Sequence, residues 1–352
     1  MRSVWWSLVR VSSRAAGLTL VTLAALVAAG APVVAPHAVD TRFPRLLNAP
    51  PTRPYVRDEA GAWHAPFIYP WRLVSQLEQR YEEDRSTRIP LVWLTGGHLV
   101  SSSDDGRAPL VLLGADSFGR DVFSRLVYGA RASLGLALAA ALGALLIGAT
   151  LGGVGGYAGG AIDDLLMRTS DFVMVLPATY VVLALRAVLP PVLPAQIVFA
   201  LLATIFAIVG APFIARGVRA IVRSERRLDY AVAAQSLGAS AWRVLTRHLL
   251  PAARGFILVE ITVLIPAFII AEATLSFVGL GFPDPIASWG TMLHDASSVR
   301  AFADFPWLLS PAAAIFLVVL ALNLVFQPSG VGVVYNEPDE PDRRLRTNSY
   351  TV

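Results

Sequence analysis

The stretch Asp229-Tyr230-Ala231-Val232-Ala233-Ala234-Gln235-Ser236-Leu237-Gly238, continued by residues 239–247 and closed by His248-Leu249-Leu250-Pro251, is a polar interruption between long apolar runs. Its punctuation predicts a short helix, a tight turn and a second helix. Asp229 is placed to cap a helix starting at Tyr230, because a carboxylate accepts the unpaired amides of a first turn. Gly238 ends that helix where a residue without a Cβ can take the left-handed conformation. Ser240 offers a second cap, residues 241–250 run helically, and Pro251 marks the return toward the next apolar run. The small side chains of Ala231, Ala233 and Ala234 leave a face that another protein can approach closely. The surrounding arginines suit an acidic partner or anionic headgroups. An interfacial helix held by arginines fits the same charge and pattern equally well.

The sequence around this hairpin is that of a membrane protein. Of 352 residues, 55% are hydrophobic and 15% charged, against roughly a quarter charged in a soluble domain. Apolar runs suited to crossing a bilayer, which takes about 20 residues of helix, occur at 15–36, 132–162, 172–185, 192–215, 261–272 with its flanks, and 308–327. The expected fold is therefore an all-α polytopic membrane protein with six transmembrane helices. The third run is the weakest, ending at Arg186 with Pro190, Pro191 and Pro194 close behind; there Arg186 can snorkel to the interface. The first resembles a signal peptide in its basic start and small residues near Ala28, but its uncharged length favours a retained helix.

Charge sets the expected orientation. Arg2, Arg10 and Arg14 precede the first run, and residues 216–254 carry eight arginines against Glu225 and Asp229, so both segments are expected in the cytoplasm, as are both termini. The connection 282–306 has Arg300 beside Asp284, Asp295 and Asp304, as an external loop would. The expected organisation is a first helix within 1–36, an external and partly folded loop at 37–126, a core of five helices at 127–327 and a disordered tail at 328–352. Within the loop, Leu73, Leu77 and Tyr81 recur every four residues and predict a short amphipathic helix over 71–85. Residues 91–101 around Gly96-Gly97 read as a hairpin. Trp63, Phe67, Tyr69, Trp71 and Trp93 either pack into a small core, the favoured reading, or rest at the membrane surface, and His64 and His98 are expected to be solvated rather than metal ligands.

All 29 basic residues are arginine. Without lysine the chain cannot supply the Gly-Lys-Ser/Thr end of a P-loop, and lysine Schiff-base chemistry is excluded. Without cysteine there are no disulfides or thiolate sites. No nucleophile, base and orienting group stand at a recognisable spacing, so an enzyme is not expected. Glu260 and Glu272 are the clear intramembrane carboxylates and hence candidates for the translocation path or for interhelical contacts. Gly148, Gly152 and Gly156 have the small-residue spacing of close helix packing.

Ala233-Ala234, Gly238 and Leu250-Pro251 stand at the spacing of the coupling loop of ATP-binding-cassette importer permeases, which the chain resembles. Within that group it is similar to the peptide and nickel subgroup, in particular its C-type subunit. Further matching segments are Leu113-Gly114-Ala115-Asp116, Gly119-Arg120-Asp121, Ser124-Arg125, residues 128–131, residues 156–160, the run from Glu272 to Gly281, Ser288-Trp289-Gly290 and residues 321–324. The resemblance runs in order over residues 114–324. It implies a type I importer fold without cofactor, metal or catalytic residue. It also implies a second permease subunit, two cytoplasmic ATP-binding subunits, an external solute-binding protein, and residence in a bacterial inner membrane, with no nucleic-acid partner. Asp229, Tyr230, Ala233, Ala234, Gly238, Ser240, Leu250 and Pro251 then become the ATPase-coupling residues. Val232 stands where the family has a glutamate, which in such a helix is the third residue and completes a capping box. An ion-coupled secondary transporter or channel is the rival reading, and nickel or another small solute the alternative cargo to peptides.

Overall fold

The computed structural model describes residues 2–177, 180–184, 193–298 and 303–326. The end of the third apolar run with Arg186, and the tail 328–352, lie outside them. Two helices open the chain, α1 (Arg2–Ala29) and the short α2 (Ala31–Val34). A sheet region follows, then α3 (Val122–Ala158), α4 (Gly160–Val175) and α5 (Ala195–Glu225). Next come α6 (Asp229–Ser236), α7 (Ala241–Val244), α8 (Arg254–Phe277), α9 (Trp289–Asp295) and α10 (Ser310–Phe326). Among the described residues, four continuous stretches are long and apolar enough to cross a membrane: Val122–Ala158, Ala195–Glu225, Ala241–Phe277 and Pro306–Val325, with a shorter apolar helix at Ser13–Ala29. The third apolar run is not one uninterrupted helix, because α4 ends at Val175 within it, and the part of α4 that precedes the run carries Asp163, Asp164, Arg168 and Asp171.

The chain is mostly helical rather than all-α. Residues 55–102 hold six strands: β1 (Tyr55–Arg57), β2 (Trp63–Ile68), β3 (Trp71–Ser75), β4 (Arg80–Glu83), β5 (Ile89–Thr95) and β6 (His98–Ser102). They form an antiparallel sheet in the order β1-β2-β5-β6 and a separate β3-β4 hairpin. The helix expected over 71–85 is this second hairpin. Leu73 and Tyr81 do meet, but as cross-strand partners, and Leu77 sits in the intervening turn, 88% exposed. A four-residue spacing suits a helix face, but it also suits two strands folded back on each other, and the aromatic and β-branched residues here favour strands. The hairpin at 91–101 is present, with Trp93 opposite Val100 and Thr95 opposite His98. Of the five aromatics, Phe67 and Tyr69 pack at a 5.3 Å ring separation, whereas Trp63 and Trp93 are exposed. His98 is half-buried, its Nδ1 2.7 Å from the Ala35 carbonyl oxygen, and His64 lies 2.8 Å from Asp58.

The helical core centres on α3, about 55 Å long at 1.5 Å per residue. Its small-residue stripe lies on α5: a Cβ on Gly148 would stand 2.6 Å from the Ala211 carbonyl oxygen, on Gly152 2.3 Å from that of Ala215, and on Gly156 2.7 Å from that of Arg219. Both helices advance by four residues between contacts, so the backbones touch along a common seam. Leu136, Ala137, Ala140, Ala141 and Ala144 of α3 are buried in one cluster with Leu202, Phe206 and Ile214 of α5 and Phe268 and Ile269 of α8. The hairpin lies at the C-terminal end of α3 and the sheet region at its N-terminal end, so the two are separated by the length of the bundle.

Candidate functional site

Helix α6 begins at Asp229 itself, with Leu228 as the preceding residue and no side-chain cap. Asp229 is thus the first helical residue rather than the cap, where its charge still complements the positive end of the helix dipole. The register of Val232 changes with it: Val232 is the fourth helical residue, so it does not occupy the capping-box position, and it is 50% exposed. Gly238 has φ +83°, the left-handed conformation a glycine takes without strain. Ser240 Oγ accepts the Arg243 amide at 3.4 Å and opens α7.

From Ala241 the helix does not stop at Pro251. It widens into a π turn at Leu245–Leu249, tightens into a 3-10 turn at Leu250–Ala253 and continues as α8. Pro251 has no amide to donate, and its ring would press on the carbonyl four residues earlier, which a local change of helical pitch relieves. Ala231 is fully buried in the cluster that holds Val244, Leu245, Leu249 and Ala253. Pro251, Asp229, Tyr230, Ala233, Gly238 and Ser240 are exposed, and Ala234 and Leu250 are half-buried. The open side of the hairpin displays Tyr230, Val232, Leu237 and Trp242, the last two 89% and 69% exposed.

The base of the hairpin is tied to the bundle by polar contacts that motif reading did not anticipate. The Tyr230 hydroxyl donates to Glu225 Oε2 at 2.5 Å, and this bond, with burial, pushes the phenol up to about 12. Arg226 donates to the Tyr157 carbonyl at the end of α3 and stacks 4.9 Å over the Tyr157 ring. Arg219 grips Asp163 with two hydrogen bonds, one of 2.6 Å, which hold that carboxyl below its usual range, and Arg223 approaches at 3.7 Å. The arginines near the hairpin are therefore partly occupied in joining α3, α4 and α5.

Glu272 is fully buried near the opposite end of α8. Ser133 Oγ of α3 donates to its Oε2 at 2.7 Å and Ser276 Oγ to its Oε1 at 2.6 Å. The Trp289 amide donates to Ser133 Oγ at 3.2 Å, so α9 joins the same knot. Ser288 Oγ closes it, donating to Ser276 Oγ at 3.4 Å. Both carboxylate oxygens are thus occupied by protein groups. Glu260, about three turns earlier on α8, is half-buried and stands apart from the knot.

A further cluster joins the sheet end to the core. Arg120 is 2% exposed and donates to Asp116 Oδ2 at 2.7 Å, Asp284 Oδ1 at 3.2 Å and Asp295 Oδ2 at 2.7 Å. Buried Arg125 lies 3.4 Å from Asp295 and 3.7 Å from Asp116. Burial raises the Asp295 carboxyl, against the opposing pull of Arg120 and Arg125. Asp121 caps α3 through the Phe123 and Ser124 amides and bonds His37 Nδ1 at 3.2 Å. The segments Gly119-Arg120-Asp121 and Ser124-Arg125 had only a resemblance in the sequence; here they are the anchor between the α3 entrance and α9.

A helical bundle with stretches of membrane-crossing length and a protruding hairpin that runs into one of its helices suit a membrane transport permease. Residues 144–328 match the family described as binding-protein-dependent transport system inner membrane component, and the chain belongs to that family. It is 39% identical over 213 residues to the oligopeptide transport system permease protein OppC of Bacillus subtilis (strain 168), covering 60% of this chain and 67% of that one. It is 41% identical over 212 residues to the dipeptide transport system permease protein DppC of the same organism, covering 60% and 64%. With the glutathione transport system permease protein GsiD of Pectobacterium atrosepticum it shares 37% identity over 222 residues, covering 63% and 71%. The match thus spans about two thirds of each relative's length.

Proposed function

We propose that this chain is one of two permease subunits of an ATP-driven importer of peptides or a related small solute, and that the hairpin 229–251 receives force from separate ATP-binding subunits. The observation that carries the reading is the mounting of the hairpin. Its α6 rests on the core through Ala231, its outer side presents Tyr230, Val232, Leu237 and Trp242, and its second arm runs into α8 as one stretch, Ala241–Phe277. A load on the exposed side is then delivered to a membrane helix, as rigid-body rocking of the bundle requires. The lysine-free sequence holds no P-loop of its own, which supports ATP binding by separate subunits. The peptide cargo rests on the transport systems of the relatives named above.

In this reading the hairpin and both termini face the cytoplasm, six helices cross the membrane, and residues 37–126 with the α8–α10 connection face outward toward a solute-binding protein. Glu272 serves as an interhelical contact rather than a path-lining group, because both its oxygens are already bonded. Replacing Gly238 by valine forces a β-branched side chain into a left-handed position, and Trp242→Glu places a charge on the exposed side without touching the core. Both variants are expected to reach the membrane and to lose co-purifying ATP-binding subunits. Retention of those subunits by both would overturn the coupling role.

A further inference from the structure

The strand pair β5–β6 carries no charge, whereas β1, β3 and β4 each hold charged side chains. Residues 37–126 contain eleven arginines and eleven acidic residues, yet none falls within 89–103. This uncharged hairpin is also open: Trp93 is 58% exposed, Leu94 77% and Leu99 44%. β6 is an edge strand, and such edges are usually protected by charge, proline or a covering element.

The position of the hairpin says what covers it. The apolar helix Ser13–Ala29 supplies about 24 Å of rise, and with the single turn of α2 that follows it comes close to the roughly 30 Å of a hydrocarbon core, so Ala35 lies near the level where the chain leaves the membrane. His98, the first residue of β6, bonds the Ala35 carbonyl at 2.7 Å. Asp105, just past the other end of β6, lies 3.7 Å from His37. The strand therefore runs alongside the departing chain, with its turn at the membrane-proximal end. The antiparallel order brings Trp63, the first residue of β2 and 70% exposed, to that same end.

We propose that the β5–β6 hairpin is an interfacial anchor, with Trp93, Leu94 and Leu99, flanked by Trp63, entering the headgroup boundary of the bilayer and holding the sheet against the membrane. Tryptophan beside aliphatic side chains suits that boundary, where a ring meets apolar chains on one side and water on the other. The placement holds whichever face of the membrane the sheet occupies.

The cysteine-free chain allows a direct test. A single nitroxide spin label is placed at Leu94→Cys, at Leu99→Cys, and at Ser86→Cys in the exposed turn at the opposite end of the sheet, in the full transporter reconstituted into liposomes. Collision with oxygen, which concentrates in lipid, is compared with collision with a water-soluble nickel chelate. The oxygen-to-nickel ratio is expected to be several-fold higher at 94 and 99 than at 86. Equal ratios at all three sites would place the tip in water, and shielding from both reagents at 94 and 99 would place it against protein; either result overturns the anchor.

Discussion

Glu272 on α8 and Ser133 on α3 share a 2.7 Å hydrogen bond at a point where both residues are fully buried. Ser276 and the Trp289 amide complete the contact, so one carboxylate holds three helices together. Glu272→Gln keeps the side-chain shape and an acceptor oxygen, and is expected to preserve both stability and uptake. Glu272→Leu removes the acceptors and strands two buried hydroxyls, a cost of about 2–4 kcal/mol. Thermal unfolding of the detergent-extracted protein measures the difference. If uptake fails in the glutamine variant while its stability is intact, Glu272 has a role in proton or solute movement that packing does not explain.

Gly152 lies against the Ala215 carbonyl with no room for a Cβ, whereas a Cβ on Gly135, on the same helix, would meet nothing within 4 Å. Gly152→Val is therefore expected to separate α3 from α5 and to cost several kcal/mol or prevent assembly, since buried overpacking costs about 1–3 kcal/mol even where side chains can yield. Gly135→Ala is expected to behave as wild type. Size-exclusion profiles of the two variants after extraction provide the comparison; a monodisperse Gly152→Val protein would show that the seam relaxes.

What could be read from the sequence was what is local. Uncharged runs mark the membrane-length helices seen among the described residues because burial in lipid demands them residue by residue, and Gly238 and Ser240 mark the turn because they act on adjacent amides. The Asp229 cap was misplaced by one position, since Leu228 already has the extended backbone of a helix entrance. The 71–85 segment misled because a spacing of four describes a helix face and a hairpin alike. The Arg120 cluster was illegible for another reason: its partners Asp284 and Asp295 are 164 and 175 residues away in the chain.

Arg120 is the sole direct hydrogen-bond donor to Asp284 among the contacts described, and it also bonds Asp116 and Asp295. Replacing it by methionine keeps volume but takes the main counter-charge from buried Asp116, half-buried Asp295 and exposed Asp284; breaking a fully buried pair from one side costs about 3–5 kcal/mol, and solvent at Asp284 and Asp295 makes the loss here smaller. Arg120→Lys restores charge but not a planar fork that reaches three carboxylates, so it is expected to recover only part of the loss. Limited proteolysis within residues 282–306 gives the readout, with cleavage fastest for Arg120→Met and intermediate for Arg120→Lys. Equal resistance in all three proteins would mean that α9 is held by its apolar contacts alone.

His37 gives the sheet end a pH dependence of definite sign. Burial alone would lower its pKa, but Asp105 and Asp121 outweigh that effect and raise it from 6.5 to about 9. The folded protein therefore binds this proton more tightly than the unfolded chain does. The stabilisation is complete below about pH 6.5, declines as pH rises and is gone above about pH 9. A shift of that size corresponds to about 3 kcal/mol at its fullest. His37→Gln retains hydrogen-bonding capacity without a titratable charge and removes the dependence. The gap in thermal stability between wild type and His37→Gln is expected to be widest at pH 6 and to close by pH 9.5, with background titrations cancelling in the difference. A gap of constant size across that range would assign the contribution of His37 to packing against Phe43, whose ring lies 4.9 Å away, rather than to its charge.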